Sequence, residues 1–213
     1  MTILFEVAGL PGVGKTTLVR RVCQELRLPK PEILHAASRR EILLSGSVAL
    51  GLVRHWRLFA EWSGDREAFL MLLREMIRGN RIDASMEHYV LEEGVAHHLW
   101  RLIYLDPRIM DLPWSHLLRR HHPLIVLEAG RAERFSRIAL KNNRGPINRH
   151  LYRTGGNGPA WEWGEESWAA VLAVAQRYGP VVVVDARGDT DSVFSELART
   201  VKDLIGTQCE RRG

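Results

Sequence analysis

The chain has 213 residues, of which 46% are hydrophobic and 26% charged, the ordinary values of a globular protein with a sizeable core. No apolar run approaches the roughly 20 residues of a membrane helix, and two cysteines, Cys23 and Cys209, are too few for a disulfide framework or a zinc site. The net charge of +5 and the pI of about 9.6 permit nucleic-acid binding without establishing it. We expect one cytoplasmic domain, 1–213, without a signal peptide or membrane contact.

The first predicted strand, Ile3–Ala8, leads into a glycine loop and then into a helix predicted from Thr16 to Leu26. The loop matches the phosphate-binding pattern G-x-x-x-x-G-K-[ST] at every fixed position. Glycines let the backbone curl with its N–H groups inward, and the following helix adds its positive dipole end. Lys15 should then reach the β- and γ-phosphates of ATP, and the Thr16 hydroxyl should ligate Mg²⁺. The expected cofactor-binding residues are Gly9, Leu10, Pro11, Gly12, Val13, Gly14, Lys15, Thr16 and Thr17.

A second strand is predicted near residues 31–35, and the stretch 36–86 after it is helical in pattern and rich in arginine and tryptophan. Tryptophan faces can stack on a base or sugar, and guanidinium groups can bind an acceptor phosphate. Arg39, Trp56 and Arg57 are therefore candidate substrate-binding residues. The spacing of the aromatic residues equally suits a helix face packed in the core.

A third strand is predicted at Tyr89–Leu91, and Glu92 and Glu93 follow at its carboxyl end. Ligands of open parallel sheets bind at that edge. One carboxylate could hold Mg²⁺ through water and the other could orient or deprotonate an acceptor; period-two alternation points them to opposite sides. Glu93 is the preferred base, and a solvated strand end is the alternative.

The fourth predicted strand, Leu124–Leu127, is followed by a basic cluster. Four of its members recur at three- and four-residue spacing, so on one helix they share a face. Such a face could close over ATP as a lid and stabilise the transferring charge, with Arg137 and Arg144 as catalytic candidates, or it could be a solvated surface. The four are Arg134, Arg137, Lys141 and Arg144, and Arg131 and Arg149 flank them.

The stretch 141–164 is rich in glycine, asparagine and proline and is predicted to be a loop. Beyond it we predict a helix at Glu165–Arg177, a strand at Val181–Val184, and a helix from Thr190 to about Ile205, with Thr190 or Asp191 as its N-cap. Strands that alternate with helices predict an α/β fold with a parallel sheet covered on both faces.

The order of these motifs resembles the small P-loop kinases of nucleosides and nucleotides, the thymidylate kinase and deoxynucleoside kinase group. The chain departs from the group where no arginine follows Glu92-Glu93, and where Ala8 stands in place of the Glu common in thymidylate kinases. The resemblance therefore supports a phosphotransferase more than it supports thymidylate as the substrate. Four segments carry it: "GLPGVGKTT" (9–17), "YVLEEGVAHHLWRL" (89–102), "LIVLEAGRAERFSRIALKNNRG" (124–145) and "VVVVDARGDTDSVFSEL" (181–197).

The resemblance implies a three-layer P-loop fold with a five-stranded parallel sheet of order 2-3-1-4-5, flanked by helices, with 36–86 as a helical acceptor region and 131–164 as an arginine-rich lid. ATP would lie across the glycine loop with its adenine towards Arg187, and Glu92 would fall on the metal side. The implied activity is transfer of the γ-phosphoryl group of ATP, with Mg²⁺, to a small-molecule acceptor. The implied acceptor is a nucleoside or nucleotide, a sugar or another alcohol is an alternative, and a homodimer is left open.

Two other functions keep the same phosphate grip. A P-loop switch would bind and slowly hydrolyse ATP with no acceptor-stimulated turnover. A polynucleotide end kinase would bind its substrate with a steep salt dependence. A GTPase is excluded, because the nearest string to the guanine-reading Asn-Lys-x-Asp is 141–144, which lacks the aspartate.

Overall fold

The computed structural model describes residues 4–28, 88–92, 94–105, 107, 123–140, 151, 155, 158–177 and 179–210. Within these ranges each strand is followed by a helix, which is the arrangement of an α/β fold. The strands are β1 (Leu4–Ala8), β2 (Tyr89–Leu91), β3 (Leu124–Glu128) and β4 (Val181–Asp185). The complete helices are α1 (Lys15–Glu25), α2 (Val95–Leu105), α3 (Arg131–Ala139), α4 (Pro159–Ala175) and α5 (Thr190–Glu210).

The described strands form one sheet in the order β2-β1-β3-β4, and all three pairings are parallel. The register places Glu6 opposite Leu91 and Val7 opposite Ile125. Because parallel strands run in one direction, their carboxyl ends meet at a single edge of the sheet. The segments that follow β1, β2, β3 and β4 therefore come together at that edge.

The predicted α/β parallel sheet is confirmed, but its strand count and order are not as predicted. The described residues contain four strands rather than five, and their order in chain numbering is 2-1-3-4 rather than 2-3-1-4-5. The difference arises at the predicted second strand, 31–35, which lies outside the described residues. The neighbours of the other four strands are those that the predicted order requires.

The sheet divides the apolar core into two clusters, because successive residues of a strand point to opposite faces. In β3, Leu124 and Val126 belong to one cluster, and Ile125 and Leu127 belong to the other. All four of these side chains are buried, as expected for a strand covered on both faces.

Helices α2 and α4 cover the first face through three buried tryptophans, Trp100, Trp161 and Trp168. Two of the indole N–H groups donate to backbone carbonyls: Trp100 to Gly164 at 3.0 Å and Trp161 to Leu151 at 2.9 Å. These bonds allow the large aromatic side chains to be buried without leaving a polar atom unsatisfied.

Helices α1 and α5 cover the second face. The buried side chains on this face come from α1, from α5 and from the strands of the sheet. At one end Arg21 forms an ion pair with Asp191, and its guanidinium carbon lies 4.0 Å from the centre of the Phe194 ring. The helix that follows the glycine loop is thus joined to the last helix of the chain.

Three helix ends differ from the sequence-based expectation. Helix α4 begins at Pro159, inside the segment predicted to be a loop, because Gly158 takes φ 87° and the fixed φ of proline suits a first helical position. Helix α5 is capped by Asp189, whose carboxylate accepts the N–H groups of Asp191 and Ser192, each at 3.0 Å. Helix α3 ends at Ala139, so the predicted four-residue basic face does not continue to Arg144 on that helix.

None of the helices in the described part of the chain combines the length and the apolar character needed to cross a lipid bilayer.

Candidate functional site

The glycine loop leaves β1 at the carboxyl edge of the sheet and leads into α1. Gly12 and Gly14 have φ of 85° and 99°, a region that residues with a side chain rarely adopt. A Cβ on Gly12 would lie 2.3 Å from the carbonyl oxygen of Arg134. Gly12, at a variable position of the motif, is therefore required both by its backbone conformation and by the close approach of α3.

Lys15 is the first residue of α1, and only 8% of it is exposed. Its ammonium group donates to the carbonyl oxygens of Gly9 at 2.7 Å and Leu10 at 3.4 Å, so it lies across the mouth of the loop. A phosphate oxygen placed there would compete with these carbonyls and would also meet the N-terminal dipole of α1. This arrangement fits the predicted role of Lys15 as a phosphate ligand.

The two predicted metal ligands meet at the sheet edge although 76 positions separate them in sequence. The Thr16 hydroxyl donates to Oε1 of Glu92. A hydroxyl and a carboxylate are oxygen donors of the kind that Mg²⁺ takes, and nucleotide enzymes commonly complete its shell with phosphates and water. In the part of the chain that the structure describes, no cluster of three or more His, Cys, Asp and Glu side chains is gathered to hold a metal on its own. Thr16 and Glu92 therefore fit a magnesium ion that a nucleotide brings with it.

Arg137 of α3 lies against the glycine loop. Its guanidinium group donates to the carbonyl of Val13 at 2.9 Å and to the carbonyl of Ala186, after β4, at 3.2 Å. It also pairs with Glu133, one turn earlier on the same helix. The predicted catalytic arginine is thus within the site, but in this state it ties the loop to the end of β4.

The other two arginines of α3 point away from the loop, towards Glu165 of α4. Arg131 makes two hydrogen bonds to that carboxylate, and Arg134 binds it while also donating to the carbonyl of Ala129 at 3.1 Å. Arg134 is buried, and its guanidinium carbon lies 5.3 Å from the centre of the Trp161 ring. Arg134 therefore has a packing role, and the predicted lid face is divided between a structural and a site-facing part.

The charges of this cluster shift in directions that follow from the contacts. Hydrogen bonds from Arg131, with the nearby charge of Arg134, hold the pKa of Glu165 below its usual value. The pKa of Arg134 is also lowered, because its burial outweighs the attraction of Glu165. Both pKa values are lowered, but the shift favours the charged form of Glu165 and disfavours that of Arg134, because Arg134 is far more buried than Glu165. An arginine stays charged near neutral pH in either case.

Arg187, predicted on the adenine side, follows β4 at the same sheet edge and is exposed. Its guanidinium group binds Asp185 through Nε at 2.9 Å and Nη2 at 2.7 Å, and its backbone N–H binds the same carboxylate at 2.9 Å. These bonds lower the pKa of Asp185 to about 2. The side chain is therefore turned onto its own strand end.

Sequence reasoning missed Glu6. It lies in the middle of β1, is buried, and accepts the backbone N–H groups of Ala96 and His97 at the start of α2. Burial and the charge of Lys15 hold the pKa of the neighbouring His97 side chain well below its usual value, which keeps that imidazole neutral. The available signal was a single charged residue inside an otherwise apolar predicted strand.

The remaining predicted site residues lie outside the described residues. They are the base candidate Glu93, the lid residue Arg144, and the acceptor candidates Arg39, Trp56 and Arg57. Their roles stay predictions.

No protein-family model matches the chain, and no curated protein matches it by sequence. Solved structures of similar fold include deoxyadenosine kinase from M. mycoides with bound dATP, at a TM-score of 0.59 and 14% identity. The same enzyme with the products dCMP and a flexible dCDP gives 0.60 and 12%, and with bound dCTP 0.57 and 12%. Each alignment covers 94% of this chain and 100% of the other.

At these identities the similarity shows a shared fold. The predicted resemblance to the P-loop nucleoside kinases is confirmed at that level. The fold and the geometry together define the candidate site as a glycine loop that carries Lys15 at the carboxyl edge of a parallel sheet.

Proposed function

We propose that the protein is an ATP- and Mg²⁺-dependent phosphotransferase that moves the γ-phosphoryl group of ATP to a hydroxyl or phosphate of a nucleoside or nucleotide. The observation that carries the proposal is the contact between Thr16 and Glu92, at the end of a glycine loop in which the ammonium group of Lys15 binds the carbonyl of Gly9. A hydroxyl and a carboxylate next to a glycine loop support the proposal, because phosphoryl transfer needs a metal ion and a phosphate grip together. The nucleoside kinase fold supports the acceptor class.

In this proposal each residue has a separate task. The loop Gly9–Thr17 binds the phosphates, and Lys15 leaves its two carbonyl partners to bind the β- and γ-phosphates. Thr16 and Glu92 hold Mg²⁺, which neutralises charge on the phosphates when it is bound. Arg137, which binds the carbonyl of Val13 in the loop, would stabilise the transferring group.

The acceptor oxygen forms a bond to the γ-phosphorus while the bond from that phosphorus to the β–γ bridging oxygen breaks, and ADP leaves. For a hydroxyl acceptor, the proton goes to the carboxylate of Glu93. Arg144 would add positive charge from the lid region 131–164.

The two ends of the proposed site bind different ligands. The adenine of ATP would lie towards Arg187, which would exchange part of its pairing with Asp185 for the nucleotide. The acceptor would bind in the region 36–86 through Arg39, Trp56 and Arg57. We propose a single cytoplasmic domain for this activity and leave a homodimer open.

A screen of ADP release from ATP and Mg²⁺ tests the proposal against panels of nucleosides, nucleoside monophosphates, sugars and short oligonucleotides. Stimulation by the nucleoside or monophosphate panel is the expected result. Stimulation by oligonucleotides alone, with a steep loss at higher salt, would replace it with an end kinase. Slow ADP release that no panel changes, with ATP binding retained, would replace it with an ATP-binding switch.

A further inference from the structure

Glu6 is a charged side chain in the interior of the protein, at a position where charge is costly. Only 8% of the residue is exposed, and it belongs to β1, whose other described residues are apolar. A buried carboxylate persists when its oxygens receive hydrogen bonds. Here Oε2 accepts the N–H of Ala96 and Oε1 accepts the N–H of His97, both at 3.2 Å.

Those two N–H groups belong to the first turn of α2, where backbone donors have no partner within the helix. A cap would normally come from a side chain just before the helix. Gly94 stands there and has no side chain to offer. The carboxylate of β1 takes the place of this local cap and meets the positive end of the helix dipole.

The fit between Glu6 and the turn before α2 is close. A Cβ on Gly94 would lie 2.5 Å from Cδ of Glu6, so the glutamate side chain would have to leave its present position. The contact therefore depends on a glutamate at position 6 and a glycine at position 94. Gly94 and the first turn of α2 are held against β1 by this contact.

Glu92, whose carboxylate contacts Thr16, lies two positions before Gly94. In the sheet register, Glu6 lies opposite Leu91, the residue before Glu92. Strand β1 thus leads into the glycine loop at its end and, through Glu6, fixes the segment that presents Glu92. A single strand sets the distance between the phosphate loop and the acidic residue.

We propose that Glu6 is a positioning residue for the magnesium site: by capping α2 it holds Glu92 where that carboxylate and Thr16 can bind one Mg²⁺ ion. This inference rests on the proposed function, since it assumes that Mg²⁺ binds with ATP at Thr16 and Glu92. Residues that orient a metal ligand commonly change metal affinity 10- to 100-fold when they are replaced.

The test variant is Glu6→Gln, which keeps the shape of the side chain but turns an amide NH₂ group towards one backbone N–H. The first turn of α2 should loosen while the glycine loop, which follows the end of β1, keeps its structure. The matched control is Ile103→Val, which weakens the packing of α2 at a buried position without touching the carboxylate.

Calorimetric titration of ATP, with Mg²⁺ and with a chelator, measures the gain in ATP affinity that Mg²⁺ gives. We expect that gain to fall about tenfold in Glu6→Gln and to stay unchanged in Ile103→Val, while the affinity without Mg²⁺ is the same in all three proteins. Amide hydrogen exchange of Ala96 and His97, followed by NMR, should become faster in Glu6→Gln only.

The outcomes separate the two proposals. An unchanged Mg²⁺ gain in Glu6→Gln, beside a clear gain in the wild type, would overturn this inference alone. No Mg²⁺ gain in the wild type would overturn the proposed function and this inference together. If Glu6→Gln does not fold, Glu6→Asp takes its place: it keeps the charge but shortens the reach, and an unchanged Mg²⁺ gain in that folded variant would equally overturn the inference.

Discussion

At the scale of single residues, Lys15 carries the most direct test of the phosphate loop. Its ammonium group binds two loop carbonyls, and a nucleotide would offer phosphate oxygens instead. We expect Lys15→Ala to lower kcat by at least about 100-fold, the loss seen when one preorganised donor to transition-state charge is removed. The far-ultraviolet spectrum and the melting curve should stay close to those of the wild type. Full activity in a folded Lys15→Ala variant would refute the proposed role of the loop.

Gly12 tests how closely α3 packs against that loop. An alanine would have to keep φ at 85° and would bring its Cβ to 2.3 Å from the carbonyl oxygen of Arg134. Since the obstacle is backbone, we expect Gly12→Ala to lower the free energy of unfolding by about 2–3 kcal/mol and to weaken ATP binding. Denaturant unfolding and an ATP titration measure the two effects.

Gly206 provides the matched control for that substitution. It is an exposed residue within α5, and a Cβ there meets no heavy atom of the described residues within 4 Å. Because glycine weakens a helix relative to alanine, Gly206→Ala should raise the free energy of unfolding by about 0.5–1 kcal/mol. Equal losses in both variants would show that the effect at Gly12 does not come from the contact with α3.

At the scale of elements, α3 is held between α4 and the glycine loop. Glu165 binds Arg131 and Arg134, and the latter is buried. Removing one partner of a buried ion pair costs roughly 3–5 kcal/mol of stability. Removing one partner of an exposed pair costs under about 1 kcal/mol. Glu165, with 36% of its side chain exposed, lies between these cases. We expect Glu165→Gln to destabilise the fold by about 2 kcal/mol at pH 7, measured by denaturant unfolding.

The same pair predicts a pH dependence. The pKa of Glu165 is lowered from 4.5 by its arginine partners. A depressed carboxylate pKa contributes stability that is present above the unfolded-state value and is lost as the pH falls through the folded-state value. Below about pH 4.5 the wild type should therefore lose the part of its stability that comes from the ionised Glu165 carboxylate. Glu165→Gln lacks that contribution at every pH. Glu166→Gln, at an exposed position of the same helix, is the control, and identical acid profiles for all three proteins would contradict the ion pair.

Local sequence patterns predict the elements, and they fail where long-range contacts decide. The strands 89–91, 124–128 and 181–185 are within one residue of their predicted ends, because short apolar runs bounded by polar residues are strong local signals. The start of α4 was missed because its first two turns contain proline, tryptophan and glycine, a composition that indicates a loop. Pairing of Glu165 with α3, and of Glu6 with α2, joins residues 31 and more than 90 positions apart, which no local pattern encodes.

The candidate site follows the same division. The loop motif places Lys15 and Thr16 without ambiguity, and the strand end places Glu92. Contacts that depend on tertiary packing, such as Arg137 on the carbonyl of Val13, are visible only once the helices are in place. The predicted lid face divided for this reason: burial against Trp161 selected Arg134 as a core residue.

At the scale of the whole molecule, ATP binding should stabilise the fold by mass action. A ligand at 100 times its Kd contributes about 2.7 kcal/mol, and about 1 kcal/mol raises the melting temperature of a chain of this size by roughly 2–4 °C. We therefore expect ATP with Mg²⁺ to raise Tm by about 5–10 °C in the wild type and by far less in Lys15→Ala. Scanning calorimetry measures both, and the absence of any shift in the wild type at saturating ATP would contradict nucleotide binding at the loop.

The bridge that Arg137 makes between Val13 and Ala186 has a consequence for the thermodynamics of ATP binding at the proposed site. The planar guanidinium group of Arg137 joins the segment after β1 to the segment after β4. The backbone of these two segments is therefore already ordered before a nucleotide binds. Ordering loops on association is a major part of the unfavourable entropy of binding. At this edge of the sheet the backbone is already ordered in the folded protein, so we expect ATP to bind in a groove whose shape is already set. The heat of binding should then report new contacts rather than rearrangement of the backbone.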